Sequence, residues 1–213
     1  MSKSTQKAYD IIRHAVLSGD FVPGDRMKEE QLVQLCGVSR TPVRDAIKQL
    51  AAENYLVMKP NHGAHVAKWS EQEIDDIFKL RSMCECLAAR RAAENITSDQ
   101  IETLREQHKM IEDMLLADAE LDIELFLKAN KAFHDTILEA TKSEVLRQSV
   151  FKLVSPPIVY QTALNFSRAD LEHSNKHHRE LIKALEERNG DWCEAVMQNH
   201  ILAAHRRFKE VAL

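Results

Sequence analysis

The chain's 213 residues are 44% hydrophobic and 29% charged with a net charge of −4, the make-up of a globular protein of one large or two modest domains. Its four cysteines are too few for a disulfide scaffold, no run approaches a membrane span, and no apolar signal core follows Lys3 and Lys7. A disulfide-stapled, membrane-spanning or exported protein is set aside, and a cytoplasmic location is expected. Residues 1–70 hold 10 Lys and Arg against 7 Asp and Glu, whereas the rest holds 19 against 26. A mildly basic head on an acidic body suits a head that meets phosphates.

In chain order, Thr5–Ser18 reads as a first helix with Tyr9, Ile12, Ala15 and Val16 inward. Gly19 stops it, and Pro23-Gly24 is a turn. Lys28–Cys36 reads as a second helix with Leu32, Leu35 and Cys36 on one side, and Gly37 as its left-handed end. A third helix follows, in which Val43, Ala46, Ile47, Leu50 and Ala51 recur at helical spacing. Val33, Gly37 and Val43 keep the spacing of a tight helix-helix corner. Arg40, Arg44 and Lys48 stand four apart and form a basic stripe on another face. Ser39 or Thr41 can cap the start, and Pro42 suits the first turn. Such a helix can enter a DNA major groove. An ordinary helical hairpin with a solvated basic face, or a protein-interaction module, would show a similar stripe.

Asn54 suits a left-handed cap. Tyr55–Lys59 and Ala64–Ala67 then flank Pro60-Asn61-His62-Gly63, which reads as a β-hairpin. Three helices and a hairpin make a winged helix over residues 1–69, with His62 and Gly63 at the wing tip able to approach a DNA backbone. From residue 70 the pattern is helical throughout. Ser70-Glu-Gln-Glu73 and Thr97-Ser-Asp-Gln100 are capping boxes. Helices are expected at about 71–94, 98–117, 119–141, 143–154, 158–166, 171–188 and 191–211, with Ser155-Pro156-Pro157 as a break or kink. The fold class is therefore mainly α: a winged helix-turn-helix followed by an all-α antiparallel bundle over residues 70–213.

Seven histidines lie in the bundle. Asn130 and His134 share one side of a helix, and His178 and His200 fall near apolar stripes. Three imidazoles converging among helices can bind a divalent metal; they can equally be hydrogen-bonded core residues. His173, His177 and His205 read as surface residues. Arg81 can turn inward and clamp a carboxylate, or pair with Glu85 four residues on at the surface.

The runs Gly-Asp-Phe-Val-Pro-Gly-Asp-Arg-Met (19–27), Gly-Val-Ser-Arg-Thr-Pro-Val-Arg-Asp-Ala-Ile (37–47) and Pro-Asn-His-Gly-Ala-His-Val (60–66) resemble the DNA-binding domain of the GntR family of bacterial regulators. The bundle resembles the FadR-like FCD domain in its shorter, vanillate-regulator-like form. The resemblance implies DNA contacts from Arg40, Thr41, Pro42, Arg44 and Lys48, with His62 and Gly63 in the wing. An arginine common in the family's second helix is Glu30 here. It also implies a metal site (Zn, Ni or Mn) on His134, His178 and His200, with Asn130 where the family has Asp, and an effector contact at Arg81. The implied function is a ligand-responsive, sequence-specific regulator. It would be a homodimeric repressor on a double-stranded operator, released by a small organic acid and metal-assisted. A metal-dependent enzyme fused to a DNA-binding head is the alternative; the bundle shows no convincing general base for it.

Overall fold

The computed structural model describes residues 1–117, 119–154 and 156–212. In order these form α1 (Lys3–Leu17), β1 (Arg26–Met27), α2 (Glu29–Cys36), α3 (Arg40–Ala52), β2 (Leu56–Lys59) and β3 (Gly63–Val66). Then come α4 (Glu71–Asn95), α5 (Ser98–Leu116), α6 (Ile123–Ala140), α7 (Glu144–Leu153), α8 (Pro156–Leu164), α9 (Arg168–Glu186) and α10 (Gly190–Ala212). The fold is mainly α, as expected, and no described helix is long and apolar enough to cross a membrane. Two compact units result: Met1–Gln72 with the start of α8, and the remaining helices.

The first unit closes over Ala8, Ile12, Leu32, Cys36, Val43, Ala46, Ile47, Leu50 and Leu56. All but Leu56, which β2 contributes, fall on one face of one of the three helices. Gly37 ends α2 with φ 61°, and its N–H donates to the Val33 carbonyl. Asn54 takes φ 62° after α3, as its type allows. Two expectations change. Leu35 is 47% exposed, because α2 buries only Leu32 and Cys36. Ser39 occupies the N-cap of α3 without a side-chain bond to the helix.

The hairpin is real but belongs to a three-stranded antiparallel sheet in the order β1-β3-β2. Arg26 lies opposite His65, and Leu56 opposite Val66. A two-residue strand such as β1 leaves no alternating pattern to read.

In the second unit α5 packs on α6 and α9, and α9 on α10. The pairs Arg90–Glu194 and Phe78–His205 run α4 and α10 antiparallel. Buried Ala88, Ala89, Ala92 and Ala93 put a small-residue face on α4. The capping box at Thr97 forms with Gln100. A second one forms at Ser167 with Asp170 and starts α9 three residues earlier than the spacing predicts. Asp122 caps α6, which begins at Ile123 rather than at 119. Ser155 of the expected Ser-Pro-Pro break lies outside the described residues. Arg188, itself at φ 52°, donates to the carbonyls of Ala93, Glu94 and Ile96, where α4 ends. It thereby satisfies acceptors that a helix terminus leaves open.

Candidate DNA interface and histidine site

α3 presents Arg40, Thr41, Arg44 and Lys48 to solvent, with Pro42 half-buried in its first turn. None of the three cations is bare. Arg44 Nε donates to both oxygens of Glu29 at 2.9 Å. Arg40 lies 3.6 Å from Glu30, and Lys48 lies 3.8 Å from Asp45. These pairs are exposed, so each holds its cation only loosely. At the wing tip Asn61 and Gly63 take φ 61° and 77°, and the exposed His62 donates its backbone N–H to Lys59. The left-handed geometry makes the turn compact enough for β2 and β3 to pair up to Lys59 and Gly63.

In the bundle, α6, α9 and α10 bring His134, His178 and His200 together. One ligand atom from each falls within 4.8 Å of the others. His134 Nε2 is 3.2 Å from His200 Nε2. Two nitrogen donors each ~2.1 Å from one ion, set at about 100°, stand roughly that far apart. His178 is fully buried and stacks on Phe133 at 4.0 Å between ring centroids. Neither of its ring nitrogens has a hydrogen-bond partner, nor does Nδ1 of His200. A buried nitrogen left unpaired costs about 1–3 kcal/mol, so such a group calls for an explanation. Burial first, and neighbouring imidazoles second, push His178 and His200 well below the usual histidine range. Both are therefore neutral, the form that offers a lone pair to a metal. The residues fit a divalent ion. Asn130 sits half-buried one turn before His134 on α6 and brings no charge.

Arg81 does turn inward, but together with Glu85, so the surface pairing is corrected. Their side chains are 10% and 4% exposed, and Arg81 Nε donates to Glu85 Oε1 at 3.0 Å. Glu85 Oε2 also lies 3.0 Å from His134 Nδ1. Burial would raise the Glu85 carboxyl; Arg81 and His134 outweigh it and hold it well below the carboxylate range. The i, i+4 spacing gives the pair but not its burial, nor the contact of Glu85 with His134 of α6.

Two further histidines depart from expectation. His205 stacks on Phe78 at 4.6 Å and donates Nε2–H to Asp75 at 2.8 Å, with only 18% of its side chain exposed. His177 is half-buried and packs edge-on to His200. His173 is exposed, as read.

The family model described as "Bacterial regulatory proteins, gntR family" matches residues 4–66, and the FCD domain model matches residues 76–203. The HTH-type transcriptional repressor RspR of Escherichia coli is 30% identical, over 92% of this chain and 85% of RspR. The HTH-type transcriptional regulator McbR of the same species is 25% identical, over 96% and 94%. The solved structure of E. coli McbR/YncC superposes with a TM-score of 0.74 at 22% identity, covering 98% of this chain and all of that one.

Proposed function

Because the chain belongs to the GntR family and carries an FCD domain, and so is a DNA-binding transcriptional regulator and not an enzyme, we propose that it is a ligand-responsive, sequence-specific repressor. In this reading residues 1–69 bind a double-stranded operator and residues 70–213 bind the effector and dimerise. Arg40, Thr41, Pro42, Arg44 and Lys48 contact bases and phosphates, with His62 and Gly63 at the adjacent backbone. Glu30 pairs with Arg40 where many relatives would place another cation, so the footprint leans on α3 and the wing.

The observation that carries the effector reading is the cluster of His134, His178 and His200, the last two buried, with Glu85 linking His134 to Arg81. His134, His178 and His200, with Asn130 adjacent, would hold Zn, Ni or Mn. A bound ion would supply positive charge for an organic acid. Arg81, whose Nε donates to Glu85, would offer its guanidinium charge to the acid's carboxylate. Binding there shifts the population between DNA-competent and incompetent states.

A homodimer is supported by the surface of α4. Leu80, Met83 and Leu87 are exposed along one stripe, Met83 at 70%, with Leu202 of α10 beside them. Met83, Leu87 and Leu202 border a groove that Phe78, Cys86 and Ile201 also line. Asp75 and Asp76 lie toward one end of α4, and Arg90 and Arg91 toward the other. An antiparallel pairing of two copies of α4 therefore sets acidic ends against basic ends while covering the stripe.

An unbiased oligonucleotide selection with the purified protein tests the main claim. The expected result is an enriched motif with two-fold symmetry; no enrichment, with and without candidate organic acids, refutes it. Native mass spectrometry with elemental analysis identifies what the bundle carries.

A further inference from the structure

Glu85 is 3% exposed and bridges two groups that the effector reading uses. Oε1 accepts from Arg81 Nε, and Oε2 lies at His134 Nδ1, both at 3.0 Å. The opposite nitrogen of the same ring, His134 Nε2, faces His200 Nε2 at 3.2 Å. One imidazole thus has a carboxylate on one side and the histidine cluster on the other. Glu85 is not among the residues whose ligand atoms cluster with the three imidazoles. With Oε1 tied to Arg81, it acts on the ring and not in the site.

A carboxylate at Nδ1 accepts that proton, which leaves the lone pair on Nε2 and fixes the ring plane. It also raises the basicity of the ligating nitrogen. Both effects matter more here than in a site with its own acid, because Asn130 adds no negative charge next to His134.

We propose that Glu85 is the positioning residue of the histidine site, holding His134 as the Nδ1–H tautomer with Nε2 aimed at His178 and His200, and supplying at one ring's remove the negative charge that Asn130 lacks. The consequence for metal affinity rests on the reading of the three histidines as a divalent-metal site; the tautomer does not. Arg81 anchors the carboxylate, so the effector contact and the metal ligand share one buried acid.

Two measurements decide it. Long-range 15N NMR of the metal-free wild type is expected to show His134 protonated at Nδ1; protonation at Nε2 with a bare Nδ1 overturns the proposal, and no variant is needed. Metal-free Glu85→Gln, checked for native circular dichroism, is then titrated with Co(II) and Zn(II) against a chelator. The expected loss is roughly 10–100-fold in affinity, with a shifted Co(II) visible band. A folded Glu85→Gln that binds as tightly as wild type, with an unchanged band, assigns Glu85 only to balancing Arg81 and overturns the proposal. If the wild type takes up neither metal, the metal reading fails, and the tautomer alone decides whether Glu85 positions the ring.

Discussion

Arg44 Nε donates to both carboxylate oxygens of Glu29 at 2.9 Å, so the arginine at the centre of the basic stripe is held by the helix in front of it. The pair is exposed, with 58% and 39% of the two side chains accessible, and contributes little to stability. On the proposed reading its weight falls on DNA. Arg44→Ala and Arg40→Ala are each expected to weaken binding to a selected operator by about 1–3 kcal/mol, the worth of a good base contact. Thermal midpoints should hardly move. Fluorescence anisotropy measures the loss; operator binding equal to wild type removes the residue from the interface. Glu30→Gln frees Arg40 of its partner and should tighten binding to a random duplex.

The second prediction concerns metal. His134, His178 and His200 come from three helices, so an ion bound by all three favours the folded bundle. Adding Zn(II), Ni(II) or Mn(II) at 100 times Kd should stabilise the metal-free protein by about 2.7 kcal/mol, seen as a rise in unfolding midpoint. His178→Ala should abolish the rise. A midpoint indifferent to all three metals contradicts the site.

Acid sensitivity provides a third. Hydrogen bonds from Lys209 and His205 hold the Asp75 carboxyl below its usual range. A carboxyl held low in the folded chain adds stability above its unfolded value of about 3.9 and loses it as pH falls through the folded value. Urea unfolding should therefore separate wild type from Asp75→Asn at pH 6, and the gap should narrow at pH 3. A gap of equal size at both values dismisses the linkage.

Arg188 makes three carbonyl contacts at the end of α4. Arg188→Met leaves those acceptors without their donor and should cost about 1–3 kcal/mol in urea unfolding. A cost below about 0.5 kcal/mol would mean that solvent replaces the guanidinium freely.

Met83→Glu puts a charge in the middle of the exposed stripe on α4. Sedimentation equilibrium is expected to show a monomer where wild type shows a dimer, with operator affinity falling in step. A Met83→Glu dimer as tight as wild type moves the contact elsewhere.

What the sequence discloses follows from how local each feature is. Helical spacing marks Ile12, Leu32, Val43 and Leu50 correctly, and these four alone place α1, α2 and α3 around one core. The turn at Gly37 and the left-handed Asn54 are also legible, since each depends on residue type at one position. Ser167-Arg-Ala-Asp170 was readable as a capping box and would have set the start of α9. Burial of polar groups was readable for His178 and His200, which lie near apolar stripes, but not where the cover comes from another helix. Glu85, His177 and His205 look like surface residues on their own helices, and their surroundings come from α6, α10 and α4 respectively. Spacing reports which side a residue takes and is silent on what covers that side.

The histidine site with its supporting Glu85 joins positions 85, 134, 178 and 200, and no two of them lie within one helical hairpin except the last pair. Loop-closure entropy defers such distant meetings to late in folding. During synthesis the nascent chain cannot complete the cluster until α10 has left the ribosome. An ion held there would certify that synthesis has passed His200, and products truncated before it would lack one of the three imidazoles.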